Sequence, residues 1–426
     1  MDRVVQFTEA SQNLSLFPLL EAEEIEKFRV PYGQRTLAKL RRDLLRCGDA
    51  GKLIFTGHRG CGKSTLLAQL GKQMQQEDLF VAFFSIADMV EMSDVNHINI
   101  LYAIALQLLS QATKLRVPIP DNTKETLITW FTQTKSLTYS DQLKQEMSLG
   151  VNVYEFFQGK LQKEGSFREE IKETFQRRVS ELSQHIDRIS AAIQIATKKP
   201  VLVIIDDLDK LDLEVVKTIF QDNIKALFSP NIRIVFTIPI AVVRDTRLLA
   251  TLESESFAAI MLPVTKFFHR EEAHKEDGKP IEANVTILQE LLAKRIPDEL
   301  IDPEAKRQIV LQSGGVLREL VRLAQECCGE CLLELELEPE TTEVTINAAI
   351  LTEAVKSLRN QFARPLGSHL YELLVETYEE FKPTDAKSPE FLELLHGLYV
   401  LEYENDDLWY DLHPLVADLL RRQALI

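Results

Sequence analysis

No stretch of this chain approaches the roughly 18 to 20 consecutive apolar residues that a membrane-spanning helix needs, and residues 1–17 lack the basic-then-apolar order of a secretory leader. The expectation is a cytoplasmic protein with no membrane-embedded part. Cysteine is scarce. Cys47, Cys61, Cys327, Cys328 and Cys331 form no paired framework, which excludes a disulfide scaffold and fits a reducing compartment. The run from Cys327 to Cys331 has no second Cys or His pair at ligand spacing, so it reads as a helix end rather than a zinc site, which wants four ligands. Bases are also in deficit: 49 Lys and Arg against 65 Asp and Glu leave a net charge of -16, an argument against a surface dedicated to nucleic acid but not against a local basic stripe. Gly and Pro, 16 each, are not enriched, so little disorder is expected. The length of 426 residues predicts two or three domains.

Apolar runs and helical spacings alternate through the first 265 residues. Leu37, Leu40 and Leu44 mark a helix, followed by a short strand at 52–55, a glycine-rich turn and a helix through Leu66, Leu67 and Leu70. Further strands are read at 79–85, 201–205, 232–240 and 258–262, with helices at 98–109, 213–227 and 241–252. Five strands alternating with helices predict an α/β core with a parallel sheet covered on both faces. Within it, 115–198 is a helical insert: Ile171, Phe175, Val179, Leu182, Ile186, Ile189 and Ile193 predict one helix of about 30 residues, a candidate coiled arm. The alternation at 148–161 suggests a hairpin. Beyond residue 266 the pattern is helical at 287–296, 303–311 and 316–333, followed by a linker at 334–344 and a helix at 346–362 capped by Thr345. Helices at 368–381 and 389–395, a hairpin at 399–403 and 408–412 around residues 405–407, and a last helix have the order of a winged helix. The expected division is therefore lead-in helices at 1–50, core at 51–265, helical lid at 266–362 and a winged-helix-like domain at 363–426.

The chemistry centres on Gly57-His58-Arg59-Gly60-Cys61-Gly62-Lys63-Ser64, which matches the phosphate-loop pattern G-x-x-x-x-G-K-[ST] between a strand and a helix. Backbone N–H groups of residues 57 to Thr65 would face phosphate oxygens, helped by the positive end of the following helix. Lys63 is expected to reach the β- and γ-phosphates of ATP and Ser64 to ligate Mg²⁺. The apolar run 201–205 ends in Asp206 and Asp207, acids at the carboxyl end of a strand, where one can hold the magnesium shell. Asp206 is assigned that role and Asp207 the polarising of the attacking water. Aspartate is one methylene shorter than the glutamate common at this place, so slow turnover is expected. Asp209 is the alternative base, or a helix cap. Thr237, at the end of the fourth strand, is either a sensor of the γ-phosphate or a locally satisfied strand residue.

This order of phosphate loop, inserted helices, acidic strand, Thr-ended strand, helical lid and winged helix resembles the AAA+ and STAND branch of P-loop ATPases, near origin-recognition-like initiators and bacterial conflict-system ATPases. The resemblance covers about residues 30–426, leaving 115–198 poorly covered. It implies that Arg318, in Ser313-Gly314-Gly315-Val316-Leu317-Arg318, approaches the γ-phosphate from a helix start, the alternative being a pairing with a neighbouring glutamate. It also implies that His413, before Pro414, approaches the nucleotide's phosphates, the alternative being a packing role. No arginine occupies 253–257, where many AAA+ oligomers place one for a neighbouring site; Arg244 and Arg247 are substitutes or ordinary surface residues.

Three functions fit. The first is an ATP/ADP switch that forms a nucleotide-dependent homo-oligomer and regulates a protein partner, with bacterial antiviral defence or signalling as the setting the resemblance implies. The second is a DNA-associated ATPase (initiator, loader or transposition regulator) using Lys39, Arg41 and Arg42 or Arg168, Lys172, Arg177 and Arg178. The third is a small-molecule kinase, for which the sequence offers no acceptor site. From Leu366 onward thirteen acids face four bases, with Glu402, Glu404, Asp406 and Asp407 on or beside the expected wing, which disfavours DNA there.

Overall fold

The computed structural model describes residues 2–119, 152–338, 343–404 and 407–426. The chain packs as two compact units, one comprising Arg35–Thr56 and Leu66–Met261, the other Met1–Gln34, Gly57–Thr65 and Leu262–Ile426.

The first of these is built on a five-stranded sheet: β1 (Lys52–Gly57), β2 (Phe80–Ser85), β3 (Val201–Asp206), β4 (Arg233–Pro239) and β5 (Ala258–Leu262), in the order β2-β3-β4-β1-β5. β2, β3 and β4 pair in parallel, and Ser85 lies in register with Asp206. Every residue of β3 is buried, as a central strand with both faces covered requires. The expected α/β core is therefore present.

The insert differs from its sequence reading. The single long helix is two, Gly165–Phe175 and Val179–Thr197, because Arg178 leaves helical geometry (φ -135, ψ 29). Neither helix is an arm: Ile171, Phe175, Leu182, Ile186, Ile189 and Ile193 are all at most 3% exposed and join the core with the helix His97–Lys114. The apolar face packs against the helix His97–Lys114 and the sheet's own layer. In place of the hairpin stands the helix Val153–Lys163, capped by Asn152, which accepts from the Tyr154 N–H at 3.0 Å. Tyr154, Phe157 and Leu161 lie on one face of it, and Phe157 stacks on Phe167 at 6.1 Å. Residues 148–151 of that reading, and 120–151 of the insert, lie outside the described residues. The helix read at 213–227 is interrupted by a π turn at Thr218–Asp222. The one read at 241–252 begins as a 3-10 turn and becomes α-helical at Thr246–Glu255, capped by Asp245.

The second unit contains the helix Arg3–Asn13, whose Phe7 and Ala10 are buried and which packs along the helix Leu317–Leu337. The cysteine cluster sits in the middle of that long helix rather than at its end. Cys327, Cys328 and Cys331 are buried thiols, and burial pushes all three up, Cys328 to about 12. The same helix replaces the first residues of the expected linker, of which 339–342 lie outside the described residues. The cap of the helix Ala348–Ala363 is Asn347, not Thr345: its side chain accepts from Ala349 and Ile350 N–H. The C-terminal elements are the helices Tyr371–Glu380 and Pro389–His396, the antiparallel pair β6 (Val400–Glu404) and β7 (Leu408–Leu412), and the helix Pro414–Arg422. Residues 405–406 of the expected turn lie outside the described residues. Leu394, Leu395, Leu398 and Trp409 are buried, as expected of core positions. No helix among the described residues is long and apolar enough to cross a membrane.

Lys52 fixes the start of β1. Its buried ammonium donates to the carbonyls of Ala50 (2.7 Å), Pro230 (2.9 Å) and Ile232 (2.8 Å), joining the entries of β1 and β4. Lys52→Met keeps the stem but leaves three carbonyls without this donor. The expected loss is about 2 kcal/mol or more, read as a lower urea midpoint of the full chain.

Candidate nucleotide site

β1 runs straight into the phosphate loop, and the helix Lys63–Gln76 leaves it. Gly60 (φ 75) and Gly62 (φ 93) occupy the left-handed region that glycine enters without steric cost. At Gly60 the requirement is also one of space: a Cβ there would lie 2.5 Å from the Cβ of Arg318. The two backbones meet because the Arg318 N–H, at the start of the helix Leu317–Leu337, donates to the Gly60 carbonyl at 3.0 Å. The structure thus brings Arg318 to the loop. The glutamate pairing weighed for it falls instead to Arg322, 3.3 Å from the buried Glu319. Inside the loop, the Lys63 ammonium donates to the carbonyls of Gly57 (2.9 Å) and His58 (2.7 Å). Thr65 Oγ1 accepts from the Leu19 N–H at 3.1 Å, and the ring of Tyr32 lies beside Gly62 while its hydroxyl donates to the Pro263 carbonyl at 3.3 Å. Burial pushes the Tyr32 phenol upward.

His58 has a partner 344 residues away. Its Nε2 accepts from the backbone N–H of Glu402 on β6 at 2.9 Å. Glu402 is 2% exposed, which corrects its placement on a solvent-facing wing: β6 turns this residue inward. The neighbouring Tyr403 donates its hydroxyl to the Gly314 carbonyl at 2.9 Å, two residues before Val316 caps the Arg318 helix.

His413 is fully buried. Its Nδ1 accepts from the Leu415 N–H at 3.3 Å, capping the terminal helix, and its ring stacks on Phe362 at 4.9 Å. Burial pushes its imidazole down to about 3. These contacts match the packing alternative.

The acids belong to the sheet unit. Asp206, the last residue of β3, is 4% exposed, and its Oδ1 accepts from the Asp207 N–H at 2.8 Å. Asp207 turns the chain through the left-handed region (φ 68, ψ 2). Thr237 secures that turn: its hydroxyl accepts from the Leu208 N–H at 3.0 Å and donates to the Ile205 carbonyl at 3.3 Å. Both Asp207 oxygens are engaged, Oδ2 by the Ser85 hydroxyl (2.7 Å) and Oδ1 by the Lys210 ammonium (2.6 Å). Asp209 is buried within the turn, and the helix Leu213–Lys217 is capped by Asp212, which accepts from the Glu214 N–H. One oxygen from each of Asp206, Asp207 and Asp209 lies within 4.8 Å of the others, an oxygen-only donor set of the kind a hard cation such as Mg²⁺ accepts. Sequence reasoning missed Ser85, Lys210, Tyr32 and the His58–Glu402 bond, because each acts through a contact that no motif spacing records.

A phosphate loop between the first strand and its helix, acids closing the third strand, and the order β2-β3-β4-β1-β5 define an α/β P-loop NTPase core. Residues 40–157 match the family described as Nephrocystin 3, N-terminal, a span that includes the loop and covers less than a third of the chain. No curated protein sequence matches the chain. Among solved structures, a point variant of Thermotoga maritima RuvB is 12% identical with a TM-score of 0.40, covering 96% of this chain and 99% of that one. The Aeropyrum pernix ORC1 protein in complex with DNA is also 12% identical at TM-score 0.40, covering 95% and 96%. Drosophila ORC bound to DNA is 12% identical at TM-score 0.37, covering 98% and 92%. These likenesses are distant.

Two expectations follow from this geometry. Gly60→Ala forces the loop and the Arg318 helix apart, so affinity for an ATP analogue measured by titration should fall tenfold or more, about 1.4 kcal/mol. His413 stays neutral in the folded chain down to about pH 3, whereas in the unfolded chain it takes up a proton below its ordinary value of 6.5. Its contribution is therefore intact above pH 6.5 and is lost as pH falls toward 3, at up to about 1.4 kcal/mol per pH unit. His413→Asn, which can still cap the helix, should flatten that part of a stability-against-pH curve.

Proposed function

We propose that this protein binds ATP with Mg²⁺, hydrolyses it slowly, and acts as a nucleotide-dependent switch that regulates assembly with a protein partner. Residues Gly57 to Thr65 cradle the phosphates, with Lys63 on the β- and γ-oxygens. Ser64 and Asp206 would hold Mg²⁺, which would supply charge neutralisation on the transferring phosphoryl group. Asp207 polarises the attacking water, Arg318 is carried to the loop by its helix, and Thr237 acts through the turn it secures.

The observation that carries the switch reading is the buried bond from His58, inside the phosphate loop, to Glu402 on the C-terminal hairpin. With it, a change in what the loop holds reaches the C-terminal elements through one side chain. Those elements fit a winged helix that meets protein rather than DNA: thirteen acids against four bases repel a phosphate backbone. The basic residues that would serve the DNA-associated alternative are mostly paired. Arg41 bonds Glu77, Arg42 bonds Asp43, Lys172 bonds Glu169, Arg178 bonds Glu181, and Arg168 is 7% exposed in its pair with Asp94. A cytoplasmic setting and a part in bacterial defence or signalling belong to the same proposal.

Lys63→Ala should abolish ATP binding with the fold retained; undiminished affinity in a titration would overturn the loop's assignment. Asp207→Asn should keep binding and lower turnover. Light scattering should show a defined oligomer with a non-hydrolysable ATP analogue and none with ADP. A mass that changes only when duplex DNA is added would replace the switch with the DNA-associated reading.

A further inference from the structure

Asp207 is held from two sides. Its backbone lies in the left-handed region, where a residue with a Cβ is strained unless its surroundings impose it. The imposing contacts are the Asp206 carboxylate on its own N–H and the Thr237 hydroxyl on the next one. From there the chain enters the 3-10 turn Leu208–Lys210, whose three-residue repeat eclipses positions three apart. Lys210 therefore stands over Asp207: its N–H donates to the Asp207 carbonyl at 3.1 Å and its ammonium meets Oδ1 at 2.6 Å. The Asp207 carboxylate is largely sheltered, 13% exposed, while the Lys210 side chain is 41% exposed. The ammonium thus approaches from the solvent side.

We propose that Lys210 is a positioning residue that restrains Asp207 and sets the low rate of hydrolysis. The proposal rests on the proposed readings of Asp207 as the group that polarises water and of turnover as slow. A charge-assisted N⁺–H···O⁻ bond is roughly twice as strong as one between neutral groups, so an incoming water competes for Oδ1 at a disadvantage. Oδ2 is engaged by a neutral hydroxyl, Ser85 Oγ, which also accepts from the Ala87 N–H. Both oxygens are thus held, and of the two restraints the lysine is the one that stands toward solvent.

The test compares Lys210→Met, Lys210→Arg, Asp207→Asn and the double variant Lys210→Met with Asp207→Asn, all in the full chain. Steady-state ATP hydrolysis with Mg²⁺ is read alongside the Kd of a non-hydrolysable analogue. Lys210→Met should raise kcat about two- to fivefold, the range a partly exposed ion pair supports, with KM and Kd unchanged. Lys210→Arg should keep the low wild-type rate, and the double variant should be as slow as Asp207→Asn alone. An unchanged or lowered kcat in Lys210→Met, an equal rise in Lys210→Arg, or a shifted Kd overturns the proposal. So does a Lys210→Met protein as silent as a silent wild type. If Asp207→Asn turns over like the wild type, it is the reading of Asp207 that fails, an outcome separate from a failure of Lys210 alone.

Discussion

The hydrogen bond from the Arg318 amide to the Gly60 carbonyl is possible only because position 60 has no side chain, and the loop's surroundings are arranged around it. It sets the start of a 21-residue helix against the backbone of the glycine-rich loop. Once that start is placed, the Gly314 carbonyl beside it is available to Tyr403, and β6 lies where Glu402 can meet His58. A loop recognised by its own motif is thereby tied to residues at the far end of the sequence. Disturbing the bond takes from the half-buried Gly60 its carbonyl's donor and separates the loop from the helix start.

In the sheet unit the comparable constraint is the left-handed turn at Asp207. Three acids within four positions repel one another, and the turn tolerates them because each carboxylate has a different task in it. Asp206 binds the next backbone N–H, Asp207 is bridged by Ser85 and Lys210, and Asp209 is folded into the turn. Thr237 contributes from the neighbouring strand by bonding both sides of the turn. A divalent cation would relieve the remaining repulsion, which is the physical reason such clusters suit one.

Surface charge points in a consistent direction. The excess of acids is carried into the C-terminal elements, while among the basic residues of the insert Arg178 is bound to Glu181, three residues away, and Arg168 to the distant Asp94. The exposed pair adds little stability, and in both pairs a carboxylate offsets the arginine's charge.

The phosphate loop, the buried third strand with its acids and the α/β character of the core were legible in the sequence because each is a local pattern: glycines at fixed spacing, a continuous apolar run, alternating periods. Helical faces were legible as well, from Ile171 through Ile193, but periodicity does not say what a face packs against, so a core layer was read as an arm. Asn152 and Asn347 were overlooked as caps because a cap is decided by which N–H groups it reaches. The burial of Glu402, the packing of His413 on Phe362 and the approach of Lys210 to Asp207 were decided by tertiary structure alone. Each depends on a backbone path that brings distant or differently oriented residues together, and charge or residue type at one position carries no record of that path.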